Sequence, residues 1–182
     1  MARAPLKSPV PLVDGQQDPL ALDHFVPYRV SVLSNIISRS VAQLYASQFE
    51  LTIPEWRVMV VLGQEEAIGE TMCANSVAMR TAMDKVQVSR AVSRMLQAGL
   101  IDRAIDRDDR RRSVLRLTEK GHQVYAEIVP AALKYEAELL ATLSDEQRDS
   151  LNNLISVLTT AARDLESAVL GRRARAVVRD EE

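Results

Sequence analysis

The stretch DKVQVSRAVSRMLQAGLIDRAIDRDDRRRSVLRL, Asp84 to Leu117, decides the fold. Asp84 with Gln87 three residues on is a helix-capping signal, and Gly99 stands where a left-handed residue ends a helix most easily. The spacing predicts a helix from Lys85 to Ala98. At about 100° per residue, Val88, Ala91, Val92, Met95 and Leu96 share one face and should pack inward. Gln87, Arg90, Ser93, Arg94 and Gln97 share the opposite face, with Val86 among them and Ser89 at the border. Forked donors and amides on one exposed face suit the base edges and phosphates of a major groove, and Val86 can meet a thymine methyl.

Past Gly99, Leu100–Ile105 and Ser113–Leu117 are short β-prone segments. They bracket Asp106 to Arg112, a purely charged loop, so the pattern is a hairpin with a long basic tip. Like charges at such a tip repel one another unless a counter-charge arrives. Asp108 and Asp109 supply part of it, and a narrow minor groove can supply the rest. Just upstream, Asn75 or Ser76 can cap a short helix running to about Thr81. Two short helices across a tight turn, followed by a hairpin, make a winged helix-turn-helix.

The charge distribution agrees. From Arg80 to Arg116 there are ten basic residues against five acidic ones, a local charge of +5 in a chain whose total is −2. A basic stretch on an otherwise acidic body is the footprint of a nucleic-acid surface. The 182 residues, 47% hydrophobic and 26% charged, match an ordinary globular protein. One Cys excludes a disulfide framework and a multi-Cys zinc site. The longest apolar run, Val58 to Leu62, is too short to cross a bilayer, and no signal peptide is evident. A cytoplasmic protein without membrane contact is the expectation.

Outward from the winged helix, residues 1–19 hold four of the seven prolines and read as a flexible arm. Apolar residues at Val26, Val30, Leu33, Ile37, Val41 and Leu44 predict one long amphipathic helix from about Leu20 to Gln48. Thr52-Ile53-Pro54-Glu55 reads as a capping box opening a short buried helix from Trp56 to Leu62, halted near Gly63. Thr118 starts a helix to about Thr142 that Pro130 should bend. Ser144-Asp145-Glu146-Gln147 opens another, with Leu151, Leu154, Ile155, Leu158, Ala162, Leu165 and Val169 in register. The last residues, 171–182, read as a flexible tail. The fold class is thus mainly α with a small β-hairpin wing: a winged helix-turn-helix DNA-binding domain over 50–118 plus a helical dimerisation region over 20–48 and 119–170. The apolar stripes of the flanking helices exceed what the winged helix can cover. A twofold homodimer would bury them and present two reading helices to the two half-sites of a pseudo-palindromic operator.

Asp109-Arg110-Arg111 followed by Leu117-Thr118-Glu119-Lys120-Gly121 resembles the wing signature of the MarR family of transcriptional regulators, D-x-R and then L-T-x-x-G. Val88-Ser89-Arg90 and Leu96 through Gly99-Leu100-Ile101 match that family's reading helix and its exit, and the resemblance covers about Leu22 to Ala168. It implies a structural role for wing residue Asp109 and minor-groove entry for Arg111, with Arg110 and Arg112 as alternatives one position away. Arg107 stands where the family often has proline, and the N-terminal arm is longer than usual. The DNA-binding set is then Lys85, Val86, Gln87, Ser89, Arg90, Ser93, Arg94, Arg110, Arg111 and Arg112. The resemblance further implies a repressor released by a small, aromatic, anionic effector, such as a phenolic acid or its CoA thioester, with a role in aromatic catabolism. For that ligand the sequence offers His24, Tyr28, Arg29, Ser34, Asn35, Arg39 and Trp56: rings to flank an aromatic group, guanidinium groups to hold a carboxylate or phosphate.

Cys73 admits an alternative, a thiol-based redox-sensing regulator, set against the commoner role of a lone Cys as a small buried hydrophobe. An enzyme is not expected. His24 and His122 are far apart, and there is no Gly-rich phosphate loop, HExxH or GxSxG. No metal and no cofactor are implied. A helical adaptor that had lost DNA binding would have a neutralised wing, and this one is intensely basic.

Overall fold

A computed structural model describes residues 20–105 and 113–179, with side chains through residue 169. The elements are α1 (Val26–Ala42), α2 (Ala46–Phe49), α3 (Ile53–Ala67), α4 (Ala74–Thr81), α5 (Lys85–Gln97), β1 (Ile101–Ile105), β2 (Ser113–Leu117), α6 (Glu119–Leu140) and α7 (Asp145–Arg179). Packing divides the chain into a unit ending at Ala132 and a second one beginning at Leu133. The fold is mainly helical with one antiparallel hairpin, as the sequence predicts.

The first unit is built around α3. Val58, Met59 and Leu62 of this helix are buried together with Val77 of α4, Val88, Val92 and Met95 of α5, Ile101 and Leu115 of the hairpin, and Ile128 of α6. Helix α5 is held at both ends by the residues its sequence supplies. Asp84 caps it, accepting from the Gln87 N–H at 2.8 Å. At the other end Gly99, at φ +67°, lets its own N–H reach Leu96 O and the Leu100 N–H reach Met95 O, closing a Schellman motif. Asp84→Ala should therefore lower stability by about 1 kcal/mol, read as a lower urea midpoint at unchanged m-value. An unchanged midpoint would mean that packing alone holds the helix start.

In the hairpin Ile101 stands opposite Leu117, Arg103 opposite Leu115 and Ile105 opposite Ser113. A third partner joins it from before α4: the Leu115 N–H donates to Met72 O at 2.8 Å, forming an isolated bridge. That bond ties the start of the helix-turn-helix to the base of the wing. On the far side, α6 is latched to the end of α5. The Thr118 hydroxyl donates to Gly99 O at 2.7 Å and accepts from the Gly121 N–H, while Lys120 Nζ donates to Ala98 O at 2.8 Å. The Lys120 ammonium also suits the negative end of the α5 dipole.

Four boundaries differ from the sequence reading, each for a physical reason. The predicted helix over 20–48 begins only at Val26, because Pro27 belongs in a first turn, and it breaks after Ala42. The break lets Tyr45 turn into the core, where it is 1% exposed and its ring lies 5.3 Å from that of Trp56. Helix α3 does not stop at Gly63. It runs on to Ala67 and ends in a second Schellman motif, with Gly69 at φ +80° and the Glu70 N–H on Glu65 O. Gly63 serves close packing instead, since a Cβ there would lie 2.9 Å from the Tyr125 ring. Cys73, not Asn75 or Ser76, takes the N-cap position of α4, because those two fall inside its first turn. Helix α7 continues through Gly171 to Arg179, a segment in which arginine and alanine favour a helix by propensity.

In the second unit the Ser144 capping box forms as expected, with the Ser144 N–H on Gln147 Oε1 at 2.9 Å and the Gln147 N–H on Ser144 Oγ. Arg148 Nε donates to Leu140 O and closes the turn between the helices. Leu154, Leu158 and Leu165 along α7 are more than half exposed in the single chain.

Candidate nucleic-acid interface

The inward set on α5 is buried as predicted at Val88, Ala91, Val92 and Met95, with Leu96 half-buried. That burial fixes the roll of the helix, so Lys85, Val86, Gln87, Arg90, Ser93, Arg94 and Gln97 are all exposed, and Ser89 with them. The polar face is thus a single continuous surface on a helix that is capped, stopped and packed on its other side. Upstream, α4 presents Met79 to solvent, and its Arg80 pairs with Glu65 at 3.4 Å. Arg103 on β1 is exposed and Arg116 on β2 half-buried, extending the basic surface along the hairpin. Wing residues Asp109, Arg110, Arg111 and Arg112 lie outside the described residues.

Arg94 differs from its neighbours. Its Nη1 lies 3.4 Å from Oε1 of Glu55, a buried carboxylate at the start of α3. The other Glu55 oxygen completes the predicted capping box by accepting from the Thr52 N–H at 2.8 Å. Sequence reasoning finds the box but not the arginine, because the two residues are 39 positions apart and nothing in either local pattern marks the pairing.

The candidate ligand residues separate in the fold. Asn35 and Arg39 of α1 line a cleft of about 470 Å³ together with Val32, Ser38, Pro54, Arg57, Met83 and Gln87. His24, Tyr28, Arg29 and Ser34 are exposed and do not line it. Trp56 is a core residue, its ring 5.3 Å from that of Tyr45 and 6.4 Å from that of Tyr125. Burial pushes the Tyr45 phenol up to about 12, partly opposed by the Arg57 charge, so it is a neutral group at physiological pH. Among the residues that sequence reasoning misses in the cleft are the polar pair Ser38 and Arg57, whose side chains are hydrogen-bonded at 3.3 Å. Ser38 is visible in principle, three residues after Asn35 on the same helix face. Cys73 is half-buried, its Sγ 3.2 Å from Ser76 Oγ within the first turn of α4. Among the described residues no helix is long and apolar enough to cross a membrane.

A short helix, a tight turn, a second helix with a buried apolar face and an exposed polar one, and a hairpin latched behind it define a winged helix-turn-helix, a DNA-reading class of protein. Comparison with known proteins agrees. Residues 49–112 match the family model described as the MarR family. The HTH-type transcriptional regulator TtmR of Methylorubrum extorquens is 29% identical over 85% of this chain and 75% of its own. The MepR–DNA complex of S. aureus superposes with a TM-score of 0.66 at 21% identity, over 76% of this chain and 97% of that one. The PcaV transcriptional regulator from Streptomyces coelicolor, in complex with its natural ligand, gives 0.63 at 24%, over 80% and 99%. The two structural likenesses are likenesses of fold. Over residues 49–112 the chain thus matches the MarR family, and the relatives it resembles are transcriptional regulators.

Proposed function

We propose that the protein is a non-enzymatic, cytoplasmic repressor that works as a homodimer on a pseudo-palindromic operator and is released by a small aromatic anion. The observation that carries this reading is Gln87, which belongs at once to the exposed reading face of α5 and to the wall of the Arg39 cleft. An occupant of that cleft touches the helix that reads DNA. Arg39 and Arg57 supply guanidinium groups for a carboxylate or thioester phosphate, Asn35 and Ser38 supply further polar contacts, and Val32, Pro54 and Met83 supply apolar wall. Release requires that the effector favour a spacing of the two reading helices that does not fit adjacent major grooves, since binding alone shifts nothing. Pairing is supported by the apolar residues left at least half exposed on α1 (Val26, Val30, Leu33) and on α7 (Leu154, Leu158, Leu165). The wing arginines, Arg111 foremost, would enter the minor groove.

The test begins with duplexes selected by the protein from a random-sequence pool and continues with phenolic acids and their CoA thioesters, scored by thermal shift and by loss of the selected duplex. A binding effector should raise the melting temperature and weaken DNA binding by tenfold or more, a coupling of about 1.4 kcal/mol. Arg39→Ala should abolish the response while leaving DNA affinity without effector unchanged. A protein that stays monomeric at micromolar concentration, or prefers no duplex over scrambled competitor, would overturn the reading.

A further inference from the structure

Glu55 is the one charged side chain in the buried set of the described residues, at 4% exposure. A carboxylate there is costly unless it is both hydrogen-bonded and matched by a counter-charge. Its Oε2 takes the Thr52 N–H, which is the capping function, but a glutamine would cap equally well. What the carboxylate adds is the ion pair of Oε1 with Arg94, and Arg94 sits on the reading helix one turn after Arg90. The Arg94 side chain is 61% exposed, so its outer donors remain open toward solvent.

We infer that Glu55 is a positioning residue for DNA recognition: it claims Arg94 as its counter-ion, fixes the seat of α5 on α3, and withholds that arginine's charge from non-specific attraction to phosphates. The inference rests on the DNA-binding reading above. Two consequences separate it from a merely structural ion pair. A guanidinium already neutralised within the protein releases few counterions when DNA binds, so Arg94 contributes little to salt dependence. Removing the carboxylate charge should free Arg94 for any phosphate it can reach. The protein would then bind more strongly to every duplex and discriminate less between them.

The experiment uses the full chain, a duplex selected by the wild-type protein from a random pool, and a scrambled duplex of the same composition, titrated over a series of salt concentrations. Glu55→Gln should steepen the slope of log affinity against log salt by about 0.9 for each reading helix engaged. Its preference for the selected duplex should fall about tenfold. Arg94→Ala should weaken the selected duplex by about tenfold at unchanged slope, and Arg94→Lys should restore the affinity at the wild-type slope. The double variant should have the wild-type slope and recover much of the affinity lost in Arg94→Ala, the non-additivity of a shared pair. If Arg94→Ala flattens the slope while Glu55→Gln leaves slope and preference unchanged, Arg94 is a direct phosphate contact and the inference fails. Additive effects of the two substitutions would sink it too. Arg94→Gln, which removes the charge but keeps a donor for the Glu55 carboxylate, gives the same slope comparison if Glu55→Gln or Arg94→Ala does not fold. A wild-type protein that selects no duplex would instead overturn the DNA-binding reading, whatever the variants do.

Discussion

Gly121→Ala should destabilise the protein by about 3 kcal/mol, read as a lower denaturant midpoint, with loss of DNA binding at temperatures where the wild type still binds. A Cβ at this position would stand 2.0 Å from the carbonyl oxygen of Leu100 and 3.1 Å from its carbonyl carbon. Both atoms are backbone, so no side-chain rotation relieves the overlap. The carbonyl also cannot retreat freely, because it accepts the Thr118 N–H at 3.1 Å in the latch that joins α6 to the end of α5. Helix α6 must therefore move away from Gly99–Leu100 and loosen the Thr118 and Lys120 bonds with it. The glycine of the Leu117-Thr118-Glu119-Lys120-Gly121 motif is thereby explained by a close approach of backbones. A variant as stable as the wild type would show that α6 is free to shift, and that the latch does not hold the wing base to the reading helix.

Arg90→Ala should weaken binding to the selected duplex by about 1–3 kcal/mol, roughly fivefold to more than a hundredfold, at fixed salt. Arg90 lies at the middle of the exposed face of α5, between Gln87 and Arg94, and among the described residues it carries no ion pair that would hold it back. A bidentate contact to a guanine edge would account for the upper end of that range, and such a contact should also relax selectivity at one base position. Arg111→Ala in the wing should behave otherwise, with a flatter salt dependence of binding. A gel-shift titration in which Arg90→Ala binds like wild type would move base reading to Gln87 and Ser93. An unaltered slope for Arg111→Ala would move the minor-groove role to Arg110 or Arg112.

Much of the reading helix is legible in the order of its residues. Its inward positions follow the helical period, its cap needs only Asp84 and the Gln87 N–H, and its stop needs only a residue tolerant of φ +67°. The same holds for the hairpin strands and the Ser144 box. The glycines show where such reasoning ends. Gly63 and Gly99 look alike in sequence as stops after an apolar helix, yet one passes under the Tyr125 ring and the other terminates α5. Only the neighbour tells them apart. In the cleft beside α1, Asn35 and Arg39 are visible as polar residues on an amphipathic helix, whereas Arg57 enters because α3 crosses beside them.

The sequence by itself determined the elements and which face of each is polar, because capping, helical period and turn chemistry act within a few residues of the chain. Tertiary structure alone decided which distant groups meet: Arg94 with Glu55, Gly121 against Leu100, Met72 with Leu115, and Gln87 in the cleft of Arg39. Those meetings depend on how packed helices are rolled and seated against one another. The buried side chains of the whole first unit set that seating together, and no local pattern encodes it.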